Sequence, residues 1–300
     1  MDILYIVVNI LVFLALAPFF EGVVRRVTAR VVQSRQGPPL AQPYWDILKL
    51  LGKQNLSPGN LAFKIAPVVA LASILSVIMF LPLGYRENAL SQYADVITLI
   101  YLLTLGGVAC LLGAISSKNA YALVGSSREM ITMIMVEPVL AMTLILGAVK
   151  VKSLAIPASV LSVTGAGYGA SVIIMLVVYL MALQAFVGRQ PFDIAEAEVE
   201  ILEGPFIEYS GPNLALFKYY MLLKQMFYAA LFVIVFIPAI KTGFYGLDVL
   251  IQLGFVLLVY VLIAVLGSTH PRLRIDQAQK IYAVLIVASL VAVGLSVYGI

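Results

Sequence analysis

Six of the 15 acidic residues fall in one stretch, 189–216: Asp193, Glu196, Glu198, Glu200, Glu203 and Glu208, against a single base, Arg189. Like charges this close repel, and burial raises some of their pKa values toward neutrality. Such a group can hold and pass protons with a modest driving force. Pro191 near the start and acids in the first turn fit a helix N-terminus. Asp193, Glu196, Glu200 and Glu203, spaced three, four and three apart, then share one helical face, while Glu198 points elsewhere. A solvated acidic loop or a docking surface is the competing reading. A seventh acid, Glu137, stands inside an apolar run and is followed by Pro138. An isolated carboxylate in hydrocarbon costs several kcal/mol, so Glu137 must be protonated, paired or hydrated. Pro138 cannot donate to the Ile134 carbonyl, which predicts a kink and a free acceptor there. Lys224 lies in another apolar run. Two readings stand for it: a counter-charge, or a chain that snorkels to the surface.

These residues need elements to hold them, and the composition says which. The chain has 300 residues, 62% hydrophobic and 11% charged. A soluble domain carries about 45–50% apolar and 25% charged residues, so a water-soluble enzyme is excluded. Disorder is excluded by the same numbers. Taking about 20 apolar residues per crossing, the sequence predicts an all-α polytopic membrane protein with eight spans near 3–20, 65–83, 95–115, 131–149, 171–188, 217–238, 248–267 and 280–299. The first carries Asp2 in place of a basic leader and reads as a retained span. The whole chain, 1–300, reads as one integral membrane domain without tandem repeats. Its longest polar connections are 21–64 and 189–216.

Fifteen of the 19 basic residues fall in or beside the odd-numbered loops. This bias places those loops in the cytoplasm and both termini outside. The acids at 189–216 run against the basic trend of their own side. Within 21–64, Gly37-Pro38-Pro39 cannot continue a helix. From Pro43 to Gln54 a short amphipathic helix follows, with Asp46, Lys49 and Lys53 on one face. It reads either as a membrane anchor or as a wall of a cavity at the cytoplasmic boundary. Arg35, Arg128, Arg272 and Arg274 lie near span ends, as lipid contacts or as partners for acids. One cysteine, Cys110, and one histidine, His270, build no iron–sulfur, zinc or bis-histidine haem site. The net charge of +4 does not suggest nucleic acid.

Taken together, these motifs resemble the NuoH-type membrane subunit of respiratory complex I. They are closer to its homologues in membrane-bound nickel–iron hydrogenases, formate hydrogenlyase and archaeal sulfane reductase. The marks are Arg35-Gln36-Gly37-Pro38, the run from Asp46 to Lys53, Gly125-Ser126-Ser127-Arg128 with Glu137 beyond, Pro191-Phe192-Asp193 through Glu208-Tyr209-Ser210, and Pro271-Arg272-Leu273-Arg274-Ile275-Asp276. The resemblance implies a subunit that anchors a hydrophilic redox arm to the membrane arm. It also implies that Glu137, Asp193, Glu196, Glu198, Glu200, Glu203, Glu208 and Lys224 serve proton or ion coupling. Arg35, Asp46, Arg128, Arg272, Arg274 and Asp276 would serve arm docking or charge pairing. No cofactor is expected in this chain; iron–sulfur clusters and a nickel–iron centre would reside in partner subunits. The setting implied is a prokaryotic cytoplasmic membrane.

Two features depart from the quinone-reducing members. The helix after Glu-Tyr-Ser carries Lys218 and Lys224 instead of a further Glu, and the first span ends Glu21-Gly22-Val23-Val24-Arg25-Arg26 instead of Glu-Arg-Lys. Glu21 and Arg25, four apart, can simply pair. The alternatives to a coupling subunit are a quinone-site subunit, a passive scaffold and a stand-alone transporter.

Overall fold

A computed structural model describes all residues except 1, 87–89, 91–93, 162, 164–167, 239, 241 and 300; of 2–4, 198 and 199 it describes the backbone alone. In chain order the helices are α1 (Asp2–Val27), α2 (Gln42–Leu51), α3 (Leu61–Phe80), α4 (Val96–Ser116), α5 (Ala120–Val151), α6 (Ile156–Leu161), α7 (Ala170–Val187), α8 (Glu198–Ile201), α9 (Gly211–Phe236), α10 (Tyr245–Thr269) and α11 (Ile275–Val297). Among the described residues, α1, α3, α4, α5, α7, α9, α10 and α11 are long and apolar enough to cross a membrane. The chain is thus a multi-pass membrane protein with the expected eight spans.

Two spans are longer than their apolar runs. Helix α1 continues past Phe20 to Val27 and on through a π-helical turn, Thr28–Val32. Glu21 and Arg25, one turn apart, pair along this extension at 3.0 Å. Helix α5 starts at Ala120, well before the expected 131. Its N-cap is Asn119, whose Oδ1 accepts from the Tyr121 N–H at 2.8 Å. Hydropathy falls at Arg128 and Glu129, but backbone hydrogen bonding does not. Both charges are therefore helical, and Glu137 lies near the middle of its helix.

The bundle closes around α9, which packs against α1, α2, α3, α7 and α10. Its Leu223, Met226, Phe227 and Ala229 are fully buried. Lipid is as apolar as leucine, so close packing at small residues must hold membrane helices together. The α4 glycines supply it: a Cβ at Gly113 would lie 2.3 Å from the Tyr209 hydroxyl, and one at Gly106 would lie 2.6 Å from Ser73 Oγ.

Short loops latch the end of the bundle near Tyr5. Thr242 donates to Asp248 through N–H and hydroxyl at 2.7 and 2.6 Å. Gln252 accepts from the Gly84 N–H at 2.6 Å, and Asn9 donates to the Leu81 carbonyl at 3.0 Å. At the opposite end, which we call the charged end, the connections 21–64, 116–120, 189–211 and 269–275 meet one another. Helix α2 lies there, starting at Gln42 and ending at Leu51, three residues before the expected Gln54, with Trp45, Leu48 and Leu51 exposed on its apolar face.

Candidate functional site

The acidic stretch is not the helix its spacing suggests. Residues 189–197 form an irregular loop, and helix resumes only over Glu198–Ile201. Leu202 and Glu203 then take left-handed φ of 52° and 67°, and a short 3₁₀ turn, Gly204–Phe206, follows. Asp193, Glu196, Glu200 and Glu203 therefore do not share a helical face. The physical reason is that most of these acids have partners on other elements, while Ile194, Ala195 and Ala197 are buried between them. An acid spacing of three and four cannot report such distant partners.

Each outer acid meets a different element. Asp193 accepts from Arg272 at 2.9 Å, and Glu200 from Arg128 at 2.8 Å. Glu203 lies 3.7 Å from Lys218 of α9, and Glu208 accepts from Asn119 at 2.6 Å. Arg128 also hydrogen-bonds Glu200 strongly enough to hold its carboxyl below the ordinary carboxylate range. The loop is pinned to α5 by a backbone contact. A Cβ at Gly125 would sit 2.7 Å from Pro205 Cδ and 2.8 Å from Gly204 Cα, so neither position has room for a side chain. Beyond it, Tyr209 stacks on Phe63 at 3.9 Å and donates to the Phe63 carbonyl.

Glu196 is different. Among the described residues it makes no ion pair or hydrogen bond, and it lines three neighbouring cavities. Burial pushes its carboxyl up to about 8; the Asp193 charge adds to that, and Lys218 opposes it. A value raised this far favours the protonated, neutral carboxyl at neutral pH.

Neighbouring cavities share lining residues. One of about 700 Å³ opens at the charged end and is lined by Glu21, Arg25, Arg189, Asp193, Glu196 and Gln225. A second, about 330 Å³, shares Glu21, Arg25, Glu196 and Gln225 and adds Asp46 and Lys218. A third, about 40 Å³ and large enough only for water, is lined by Glu196, Glu129 and Lys224. A fourth, about 30 Å³, is lined by Glu129, Glu137, Lys224, Thr132 and Tyr228. Lys224 thus faces Glu129 and Glu137 inside the bundle, which favours the counter-charge reading. Glu129 and Glu137 lie eight residues apart, about 12 Å along the helix at its standard rise.

Beside these cavities runs a second polar network. Glu21 of α1 accepts from both Arg25 and Arg189, and Arg25 reaches Asp46 of α2 at 3.2 Å. Arg189 also donates to Gln225 at 3.1 Å and lies over the Tyr260 ring at 5.7 Å. Helix α2 is therefore a cavity wall as well as an interfacial helix.

Other expected site residues stand apart. Arg35 and Arg274 are exposed and, among the described residues, form no ion pair; Arg274 is the N-cap of α11. Asp276 lies exposed in the first turn of α11, where its charge complements the helix dipole. The Glu198 side chain lies outside the described residues. Sequence reasoning missed Glu129, which fell outside the expected span. It noted Glu21 only as a partner of Arg25 and missed its link to Arg189. The eight-residue spacing of two acids on one long helix was the available signal for Glu129.

The NADH dehydrogenase family pattern matches residues 3–297. Hydrogenase-4 component C of Escherichia coli (strain K12) is 34% identical over 281 residues, covering 91% of this chain and 89% of the relative. Formate hydrogenlyase subunit 4 of the same organism is 32% identical over 294 residues, covering 94% of each. A chain of the membrane-bound sulfane sulfur reductase, an archaeal respiratory membrane complex, superposes with a TM-score of 0.88. It is 25% identical, and the match covers 98% of this chain and 99% of that one.

Proposed function

The chain belongs to the NADH dehydrogenase family, and from that premise we propose that it is the membrane-anchor and coupling subunit of an energy-converting redox complex of the hydrogenase-related branch. Hydrophilic subunits carrying iron–sulfur clusters, and a nickel–iron centre in the hydrogenase case, dock on the charged end. That end faces the cytoplasm of a prokaryotic cell, as its excess of Lys and Arg requires. Electron transfer in the docked arm changes the charge or position of the Asp193–Glu208 loop. Glu196 takes up or releases a proton in response, and Glu129, Glu137 and Lys224 carry the change into the bilayer. The ion moved is a proton or sodium.

The observation that carries this reading is the shared lining of neighbouring cavities by Glu196, then Glu129, then Glu137. A passive anchor needs no carboxylate at mid-membrane, where each one is costly. A stand-alone transporter would place its substrate site between inverted repeats, and no repeat is visible in the sequence. The wide cavity at the charged end gives a quinone-binding variant its strongest support, while Lys218 and Lys224 on α9 argue against it.

The test is Glu137→Gln in the intact complex, reconstituted in sealed vesicles. Redox turnover is expected to persist with ion translocation reduced more than about tenfold, the loss expected when a required proton carrier is removed. Full gradient formation would overturn the relay. Loss of assembly on neutralising Asp193, Glu200 and Glu203, with translocation per turnover preserved, would favour the scaffold.

A further inference from the structure

The ion pairs at the charged end are unevenly shared. Glu21 has two arginines, Arg25 and Arg189, while Glu196, across the same cavity, has none within hydrogen-bond reach among the described residues. Arg189 follows Gly188, the left-handed C-cap of α7, and the Arg189 N–H donates to the Gln184 carbonyl at 3.1 Å, so its backbone is fixed and a change of partner falls to the long side chain alone. Gly188 lines both the widest cavity and the one lined by Glu129. We infer that Arg189 is a positioning residue that exchanges partners, holding Glu21 in one state and Glu196 in the other. The inference rests on the coupling role proposed above and assigns it a control element.

The exchange needs little uncompensated charge. When Arg189 leaves, Glu21 keeps Arg25, which Asp46 steadies from α2. Glu196 gains a cation beside the charges already facing it: Asp193 from its own loop, Lys218 and Lys224 from α9, and Glu129 from α5. Glu21, Arg25 and Asp46 face it across the cavities from α1 and α2. With Arg189 on Glu21, Glu196 holds its proton. With Arg189 on Glu196, the carboxylate form is favoured and the proton leaves for the next acceptor. A displacement of α2 would bias the choice through Asp46 and Arg25, so the device can read the docked arm.

The experiment is an infrared titration of the intact complex. The Glu196 carboxyl band is assigned by its loss in Glu196→Gln. Glu21→Gln removes the competing carboxylate and frees Arg189, so the Glu196 midpoint should fall by about 1–3 pH units, the effect of a cation within a few ångströms. An unchanged midpoint would overturn the exchange. If Glu21→Gln fails to assemble, Glu21→Asp, which shortens the carboxylate, should lower the midpoint by a smaller amount; no change there is equally fatal. The readout is independent of ion movement. An unchanged midpoint together with lost translocation in Glu137→Gln removes the exchange and leaves the relay. The opposite pair of results does the reverse.

Discussion

The two ends of the bundle satisfy buried and half-buried polar groups in different ways. Near Tyr5, polar side chains meet loop backbone: Asp248 takes the Thr242 N–H, Gln252 takes the Gly84 N–H, and Asn9 gives to the Leu81 carbonyl. Arg86 there is held between the rings of Tyr5 and Tyr245 at 5.7 and 5.6 Å. At the charged end, most acids meet side-chain cations, several from other elements, and Glu196 has no ion pair among the described residues. A backbone partner is fixed by the fold. A guanidinium on a long stem can change partners at the cost of one rotamer. The first arrangement suits a latch and the second suits a device with two states.

The widest separation between the ends should come from Glu137→Gln and Asp248→Ala. The first should abolish ion translocation in the assembled complex. The second should cost about 1–3 kcal/mol of stability, the penalty for orphaned buried donors, and leave translocation per turnover unchanged. If Asp248→Ala also stopped translocation, the contrast would fail.

Next comes pH. Glu196 is held at about 8 against an ordinary 4.5, so the folded chain binds a proton there that the unfolded chain releases. Stability must therefore fall as pH rises through that interval. In Glu196→Gln the decline should flatten, measured as thermal midpoints of the purified complex between pH 5 and 9, on the order of the interval just given. An identical slope in both proteins would show that Glu196 is not the group responsible.

Arg272→Ala should come third. It removes one ion-pair partner of the half-buried Asp193 and should loosen the acidic loop, seen as faster amide exchange over 190–204 with a cost of about 1–3 kcal/mol. Glu200→Gln should do least. Its pair with Arg128 is exposed and worth about 0–1 kcal/mol. Because Arg128 lowers the Glu200 pKa, that small contribution is present at neutral pH and disappears only as pH falls through the lowered value. A large effect of Glu200→Gln on translocation would move the control point outward from Glu196.

The eight crossings were legible because about 20 apolar residues is a length signal that tolerates local detail. Helix α2 was legible from Asp46, Lys49 and the opposing Trp45, Leu48 and Leu51. The start of α5 was not, since hydropathy treats Arg128 and Glu129 as an end, whereas here the acidic loop covers that stretch through Gly125 and Gly204. The acids themselves were legible, but their arrangement was not. Spacings of three and four describe a helix only if nothing else competes for the side chains. Arg128, Lys218 and Arg272, between 15 and 79 positions away in sequence, compete successfully. Arg189 was visible only as a lone base among acids.

Helix α5 has 32 residues, about 48 Å at 1.5 Å each, while the hydrocarbon layer is about 30 Å thick. Its first turns must therefore stand clear of the lipid as a stiff post. The helix runs on without a break through Glu137 and Pro138 to Val151, so the turns that meet the acidic loop and the carboxyl near mid-helix belong to one rod. Pro138 withholds a single backbone donor from the Ile134 carbonyl, one residue past Glu137.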